Sequence, residues 1–387
     1  MVSLARATLR HEWRRFLAAV LAVAFSGLLV LVQLGLLIGM FGTVAVYIDE
    51  SDADLWVGFA GTQSIDLGKP FNAQVETRLR IHPQVERVEP FIFAQSDWRT
   101  PAGVNVFTYL LGIDPAERGM GFARVLPPQL RALLLEPMTV IIDEADRDKL
   151  GVTMPDASGT APVSLPTAEI GGKRVKIVAA IKGLRAIGGV NVVSSLSTAR
   201  TIDGSAAREQ QEVSYFLLRL KPGADAATVR SELAPQGPVK VYQVWTAEEF
   251  SHRSQWYWLT ESGAGAGFAF STLLGLLVGI LITSQTLIAA ITASIREYAT
   301  LRALGVAQGS LRAVVIEQSC WIGLAGLFLT GLFTWLIDAA ARHAYVAIKF
   351  PHWTLALTAA LTLTIAIGSG LLALRALGRA DPAALLR

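Results

Sequence analysis

Four stretches of this chain contain no Asp, Glu, Lys or Arg: residues 16–48, 262–295, 318–337 and 350–374. A helix needs about 20 apolar residues to cross a hydrocarbon core of about 30 Å, and each stretch is at least that long. Inside a bilayer every backbone polar group must be satisfied within the protein, which leaves an apolar run little choice but to be helical. The chain therefore reads as a membrane α-helical protein with four transmembrane helices. A large hydrophilic segment, residues 49–261, lies between helices 1 and 2. Only 17% of the residues are charged, against roughly 25% in soluble domains, which argues against an ordinary soluble enzyme.

The expected order is a cytoplasmic amphipathic helix (1–15), a first span with its stalk (16–48) and an extracytoplasmic domain (49–261). A stalk with the second span (262–295) and a cytoplasmic coupling loop (296–312) follow. A third span (313–340), a short external turn (341–352), a fourth span (353–374) and a cytoplasmic tail (375–387) complete it. Arg6, Arg10, Arg14 and Arg15 precede the first run as they would a secretory signal, but a signal core spans about 7–15 residues, so an uncleaved anchor is expected. Arg6, Arg10 and Arg14 recur every four positions while Ala5, Leu9, Trp13 and Phe16 cluster on another helical face. That pattern suits a helix lying at the headgroups, or a simple basic flank. Basic residues near the helix ends put both termini and Arg296, Arg302 and Arg312 on the cytoplasmic side of the inner (plasma) membrane, and residues 49–261 on the far, periplasmic side.

The formal net charge of +3 and the lack of basic clusters interleaved with aromatics argue against nucleic acid as a partner; the lipid bilayer is the expected one. The single cysteine, Cys320, excludes an intrachain disulfide. Ion-coupled carriers place ionisable residues within their spans, and these runs hold none apart from His352 near one end. Gly35 and Gly39 form a GxxxG pair, as do Gly275 and Gly279, suited to close helix packing either at a dimer seam or within one bundle. Gln33 and Gln285 are polar intruders, read as interhelical hydrogen-bonding groups or as parts of a substrate path.

Residues 49–261 have the pattern of an α/β (α+β) domain. Strands are expected at 54–59, 88–95, 104–113, 139–142, 175–181, 213–220 and 239–244, and helices at 74–81, 143–150 and 225–233. The Gly- and Pro-rich stretches 151–172 and 183–190 read as loops, the first dividing the domain into two lobes. No catalytic, cofactor-binding or metal site emerges. His11-Glu12-Trp13 lacks the second His of a zinc-protease motif, and Gly171-Gly172-Lys173 lacks the remainder of a P-loop. Asp143, Glu144, Asp146 and Asp148 lack the spacing of a Ca²⁺ loop and read as a solvated helix start.

The loop after the second span reads Arg296-Glu297-Tyr298-Ala299-Thr300-Leu301-Arg302-Ala303-Leu304-Gly305, and the tail reads Arg379-Ala380-Asp381-Pro382-Ala383-Ala384-Leu385-Leu386-Arg387. Both resemble segments of FtsX-like, MacB-type ABC transporter permeases, as does the layout of one span, an external domain and three further spans. Leu31-Val32-Gln33-Leu34-Gly35 and Asp52-Ala53-Asp54-Leu55-Trp56-Val57 are most similar to DevC-type exporter permeases. The chain departs from the family pattern at Gln308, Gly309, Ser310 and Ala384.

The resemblance implies a non-catalytic, homodimeric subunit that binds no cofactor itself and works with a separate ABC ATPase subunit carrying ATP and Mg²⁺. A membrane fusion (adaptor) protein and an outer-membrane channel complete the implied export system. The loop is then a coupling helix, with Arg296, Glu297 and Arg302 beside apolar Tyr298, Leu301 and Leu304 and ending at Gly305, a mixture that suits a partner's groove. The contrasting expectation is an ATP-driven regulator of an extracytoplasmic partner such as a cell-wall hydrolase, or, weaker still, a tethered hydrolase.

Overall fold

The computed structural model describes residue 11 and residues 13–152, 166–185, 189–203, 212–235, 241–293, 308–343 and 346–378. The chain divides into two units, one of Met1–Met40 with Gly265–Arg387, the other Phe41–Ala264.

The first uncharged run is one helix, α1 (Trp13–Val44), of 32 residues. At 1.5 Å per residue it is about 48 Å long, well beyond the hydrocarbon core. Ala45 interrupts it, and the single turn α2 (Val46–Asp49) leads into β1 (Leu55–Phe59). Then come β2 (Phe71–Asn72), α3 (Val75–Ile81), the long β3 (Val85–Arg99) and β4 (Asn105–Ile113). After α4 (Pro128–Ala132), β5 (Thr139–Asp143) and α5 (Arg147–Leu150), the chain forms the hairpin β6 (Thr167–Ile170) and β7 (Lys173–Ile181). β8 (Val190–Ser195), α6 (Leu196–Asp203), β9 (Glu212–Val213), β10 (Tyr215–Leu220), α7 (Ala226–Leu233), β11 (Tyr242–Thr246) and α8 (Ala247–Thr260) finish this unit.

β3 belongs to two sheets at once. Its first half pairs antiparallel with β10, from Phe91↔Tyr215 to Val88↔Leu218, and β1 and β11 extend that sheet outward. Its second half pairs with β4, from Ile92↔Gly112 to Arg99↔Asn105. The order continues β4-β8-β5-β7-β6, and β6 returns to β3 through Trp98↔Ile170. Those six strands close on themselves, which removes the exposed edges that an open sheet would leave. At the junction Ser214 Oγ accepts from Phe93 N at 2.9 Å and donates to Phe93 O at 3.2 Å, so a side chain extends the β10 ladder past its last backbone pair.

The division into lobes thus runs along β3, not through 151–172 as expected. The strands on either side of that stretch, β5 and β7, and β6 within it belong to one ring. β6, β8, α6 and α8 were not anticipated. β6 falls in an expected loop, and β8 is an unalternating run, Val190–Ser195, buried throughout.

Strict alternation sends Ile92, Leu110, Val140, Ile142 and Val192 to one core and Phe93, Leu111, Ile141 and Val193 to another that spans both lobes. In β7 an extra residue after Ile177 shifts the register against β5, so Val175 and Ile177 face the first core while Ala179 and Ile181 face the second. A third core, with Leu55, Val57, Phe216 and Leu218, backs onto Leu79 of α3 and Val229 and Leu233 of α7.

α8 ends at Thr260, and Gly263 adopts φ +77°, a conformation L residues rarely take. The next helix, α9 (Ala264–Ala293), is therefore separate from α8. α10 (Gln308–His343) begins inside the expected loop 296–312, and α11 (His352–Gly378) follows. Among the described residues, four helices are long and apolar enough to cross a membrane, over Phe16–Val44, Gly265–Thr286, Ala313–Ala341 and His352–Ser369. In α10, Glu317 and Asp338 lie about 31 Å apart along the axis and bracket one hydrocarbon thickness.

Candidate functional site

The coupling residues expected at Arg296, Glu297, Tyr298, Leu301, Arg302, Leu304 and Gly305 lie outside the described residues, as do most of the amino-terminal helix and the tail. The four packing glycines are described, all in the membrane unit. A side chain at Gly275 would strike Leu29, and one at Gly279 would strike Ser26, so α9 meets α1 along this small face. One turn away Gln33 Nε2 donates to Ser271 Oγ at 3.1 Å, an interhelical hydrogen bond between the same helices.

Gly35 and Gly39 receive a different partner. A Cβ at Gly35 would lie 2.5 Å from the Phe350 ring, and one at Gly39 would strike the Ala347 carbonyl. Lys349 N donates to Gly35 O at 3.1 Å, so residues 347–350, between α10 and α11, lie along this face of α1. Non-helical backbone at such a site needs protein cover, and the two glycines supply the room for it.

In the soluble unit, the segments continuing α1 and preceding α9 are each keyed into the core. Val46, Tyr47 and Ile48 of α2 are buried. Tyr47 donates through its hydroxyl to Asn191 Oδ1 at 2.9 Å, and burial holds its phenol well above the ordinary value, so it remains a donor. Asn191 in turn donates to Leu184 O, and Leu184 N donates to Asp143 Oδ2 at 2.7 Å. Ser51 Oγ donates to Tyr47 O at 2.6 Å and accepts from Phe122 N at 3.0 Å. Arg124 Nη1 reaches Asp49 O at 2.7 Å, and Asp52 N donates to Met120 O at 2.9 Å.

The segment 114–131 that receives α2 is itself fastened by buried charges. Glu89, 2% exposed, accepts from Met120 N at 2.7 Å and pairs with Arg87 at 2.7 Å. Arg131, 1% exposed, donates to Asp114 O at 2.8 Å and Gly121 O at 2.5 Å. Burial raises the Glu89 carboxyl, against the opposing pull of the Met120 N–H and Arg87, and burial lowers the Arg131 guanidinium. Phe122 takes φ +54° within this strap. An aromatic residue there is a local strain that surrounding contacts must hold.

α8 is capped by Thr246, whose side chain accepts from Glu249 N at 3.1 Å, with Glu248 and Glu249 in its first turn. Ser254 Oγ accepts from Ile65 N at 3.2 Å, Arg253 Nε donates to Thr62 O at 3.0 Å, and Trp258 Nε1 donates to Asp66 Oδ1 at 3.2 Å. Sequence reasoning missed these joints because Tyr47, near the end of the first uncharged run, reads as part of a projecting stalk and not as a core residue. The available signal was the run's surplus length.

The acidic group has local partners. Asp143 accepts from Ala145 N at 2.8 Å and from Leu184 N, and Asp146 pairs with Lys149 at 3.3 Å. Among the described residues no group of three or more His, Cys, Asp or Glu could hold a metal ion.

Four membrane-length helices among the described residues, with an α/β domain inserted after the first, define a multi-pass membrane protein carrying a large α/β unit. Within that class, residues 269–382 match the protein-family model of the FtsX-like permease C-terminal region, and the chain is similar to FtsX-like permeases. No curated protein matches it. Among solved structures, the periplasmic region of MacB from Actinobacillus actinomycetemcomitans is similar at 10% identity over 53% of this chain and 94% of that one, with a TM-score of 0.33. The extracellular domain of the noncanonic ABC-type transporter YknZ from Gram-positive bacteria gives 15% identity, 50% and 100% coverage, and 0.32. A domain of a putative permease protein from Porphyromonas gingivalis gives 14%, 46% and 77%, and 0.29.

Proposed function

We propose that this chain is the permease subunit of an ABC exporter, converting ATP hydrolysis on a separate ATPase into motion of its soluble unit. The observation that carries this reading is the FtsX-like permease match over residues 269–382, which includes the loop 296–305. The burial of Tyr47 and Phe250, on the helices nearest the first and second spans, supports a lever that works the soluble unit through its core. In this reading Glu297, Arg296 and Arg302 make polar contacts with the ATPase while Tyr298, Leu301 and Leu304 fill its groove. ATP and Mg²⁺ stay with the partner. Both termini lie in the cytoplasm, the α/β unit lies in the periplasm, and a membrane fusion protein receives the cargo, as in the DevC-type assemblies that the chain's motifs resemble. Two copies of the chain face two ATPases.

The test is reconstitution of the chain with its ATPase. Glu297→Ala and Leu301→Asp are expected to lower complex formation and abolish stimulation of ATP hydrolysis; undiminished assembly and stimulation in both would overturn the assignment of this loop.

A further inference from the structure

We propose that Trp56 is a positioning residue that fixes α2 relative to α8, a role whose purpose rests on the export reading while its geometry does not. Tyr47 of α2 meets Phe122 at 6.3 Å between ring centroids, and Phe122 meets Phe91 at 6.2 Å. Phe91 meets Trp56 edge-on at 5.6 Å, and Trp56 meets Phe250 of α8 at 6.1 Å. A parallel branch runs from Trp56 to Tyr215 at 5.8 Å and from Tyr215 to Phe250 at 5.6 Å. α2 and α8 also pack directly against one another, and the rings add a continuous path between them through the core, both branches of which pass through Trp56.

The backbone converges on the same residue. β1, which carries Trp56, begins six residues after α2 and pairs on one side with β11, which leads directly into α8. Trp245, cross-strand neighbour of Trp56, stacks on Phe250 at 4.6 Å with an 8° interplanar angle. Rings held at such distances keep preferred mutual orientations, whereas aliphatic side chains of similar volume repack among rotamers. The Trp56 indole Nε1 is buried and finds no acceptor among the described residues. Hydrogen bonding is thus not what the indole supplies here, since a buried donor without an acceptor is a cost. Its extended ring surface is what remains, and a phenylalanine at 56 preserves part of that surface without the N–H.

The experiment uses the full chain in lipid nanodiscs with Cys320→Ser, nitroxides at Asp49→Cys and Glu261→Cys, and dilution with unlabelled chain. Wild type and Trp56→Phe are expected to give one narrow distance distribution by double electron–electron resonance, and Trp56→Ala one at least twofold broader. Should Trp56→Ala fail to fold, Trp56→Leu, which removes the rings and retains bulk, is expected to broaden in the same way. Leu218→Ala, on the opposite face of the same sheet, controls for general loosening. The proposal is overturned if Trp56→Ala and Trp56→Leu keep the wild-type width, or if Leu218→Ala broadens equally at a matched loss of melting temperature. Adding the ATPase with ATP separates the two readings. An unmoved wild-type distance counts against export, while the nucleotide-free widths alone decide the role of Trp56.

Discussion

At the scale of single residues, the soluble unit depends on charged groups held out of water. Glu89 is the clearest case, because burial raises its carboxyl while Met120 N and Arg87 hold one oxygen each. A carboxyl raised in the folded state contributes stability that is complete below its unfolded value, about 4.3, and is lost as pH climbs through the folded value. Denaturation midpoints should therefore fall as pH rises above about 4.3, and Glu89→Gln should flatten that dependence. An unchanged slope in the variant would show that Glu89 does not titrate upward. None of this is legible beforehand, since Arg87, Glu89, Asp114 and Arg131 read as ordinary solvated charges until β3 and the 114–131 strap are brought together.

At the scale of elements, the GxxxG pairs illustrate how one motif serves two geometries. Gly275 and Gly279 admit a neighbouring helix, while Gly35 and Gly39 admit the non-helical backbone around Ala347 and Ile348. Because the Ala347 carbonyl above Gly39 belongs to backbone, it cannot swing away from an added methyl. Gly39→Ala should cost about 1–3 kcal/mol, as overpacking of a filled site does. Gly331, with nothing within 4 Å of where its Cβ would be, is the control. Gly331→Ala should be neutral or gain up to about 1 kcal/mol from helix propensity. Thermal unfolding in detergent distinguishes the two, and equal effects would mean that Gly39 is not a contact glycine. Spacing alone marks such positions as close approaches without saying what approaches.

At the scale of the whole molecule, the orientation proposed for the chain rests on basic residues beside short segments, and it has a direct check. With Cys320→Ser as background, Val104→Cys and Ile81→Cys, both exposed on the soluble unit, should react in intact cells with an impermeant maleimide. Tyr298→Cys should react only after permeabilisation. Labelling of all three from the same side would remove the basis for a coupling loop and, with it, the lever.

What the sequence determined by itself is the part that the bilayer dictates. Uncharged runs of sufficient length become helices whatever their neighbours do, because no other structure satisfies their backbone in hydrocarbon, and a hydrophilic stretch between them must fold outside. Most strands were also legible, from β-branched and alternating runs such as Asn105–Ile113. The closure of six strands through β3 and β6, the shift of facing in β7 and the burial of Tyr47 were decided only in three dimensions. Strand partners come from residues tens of positions apart, and a one-residue slip exchanges the faces, so local pattern proposes a strand while packing chooses its register and its neighbour.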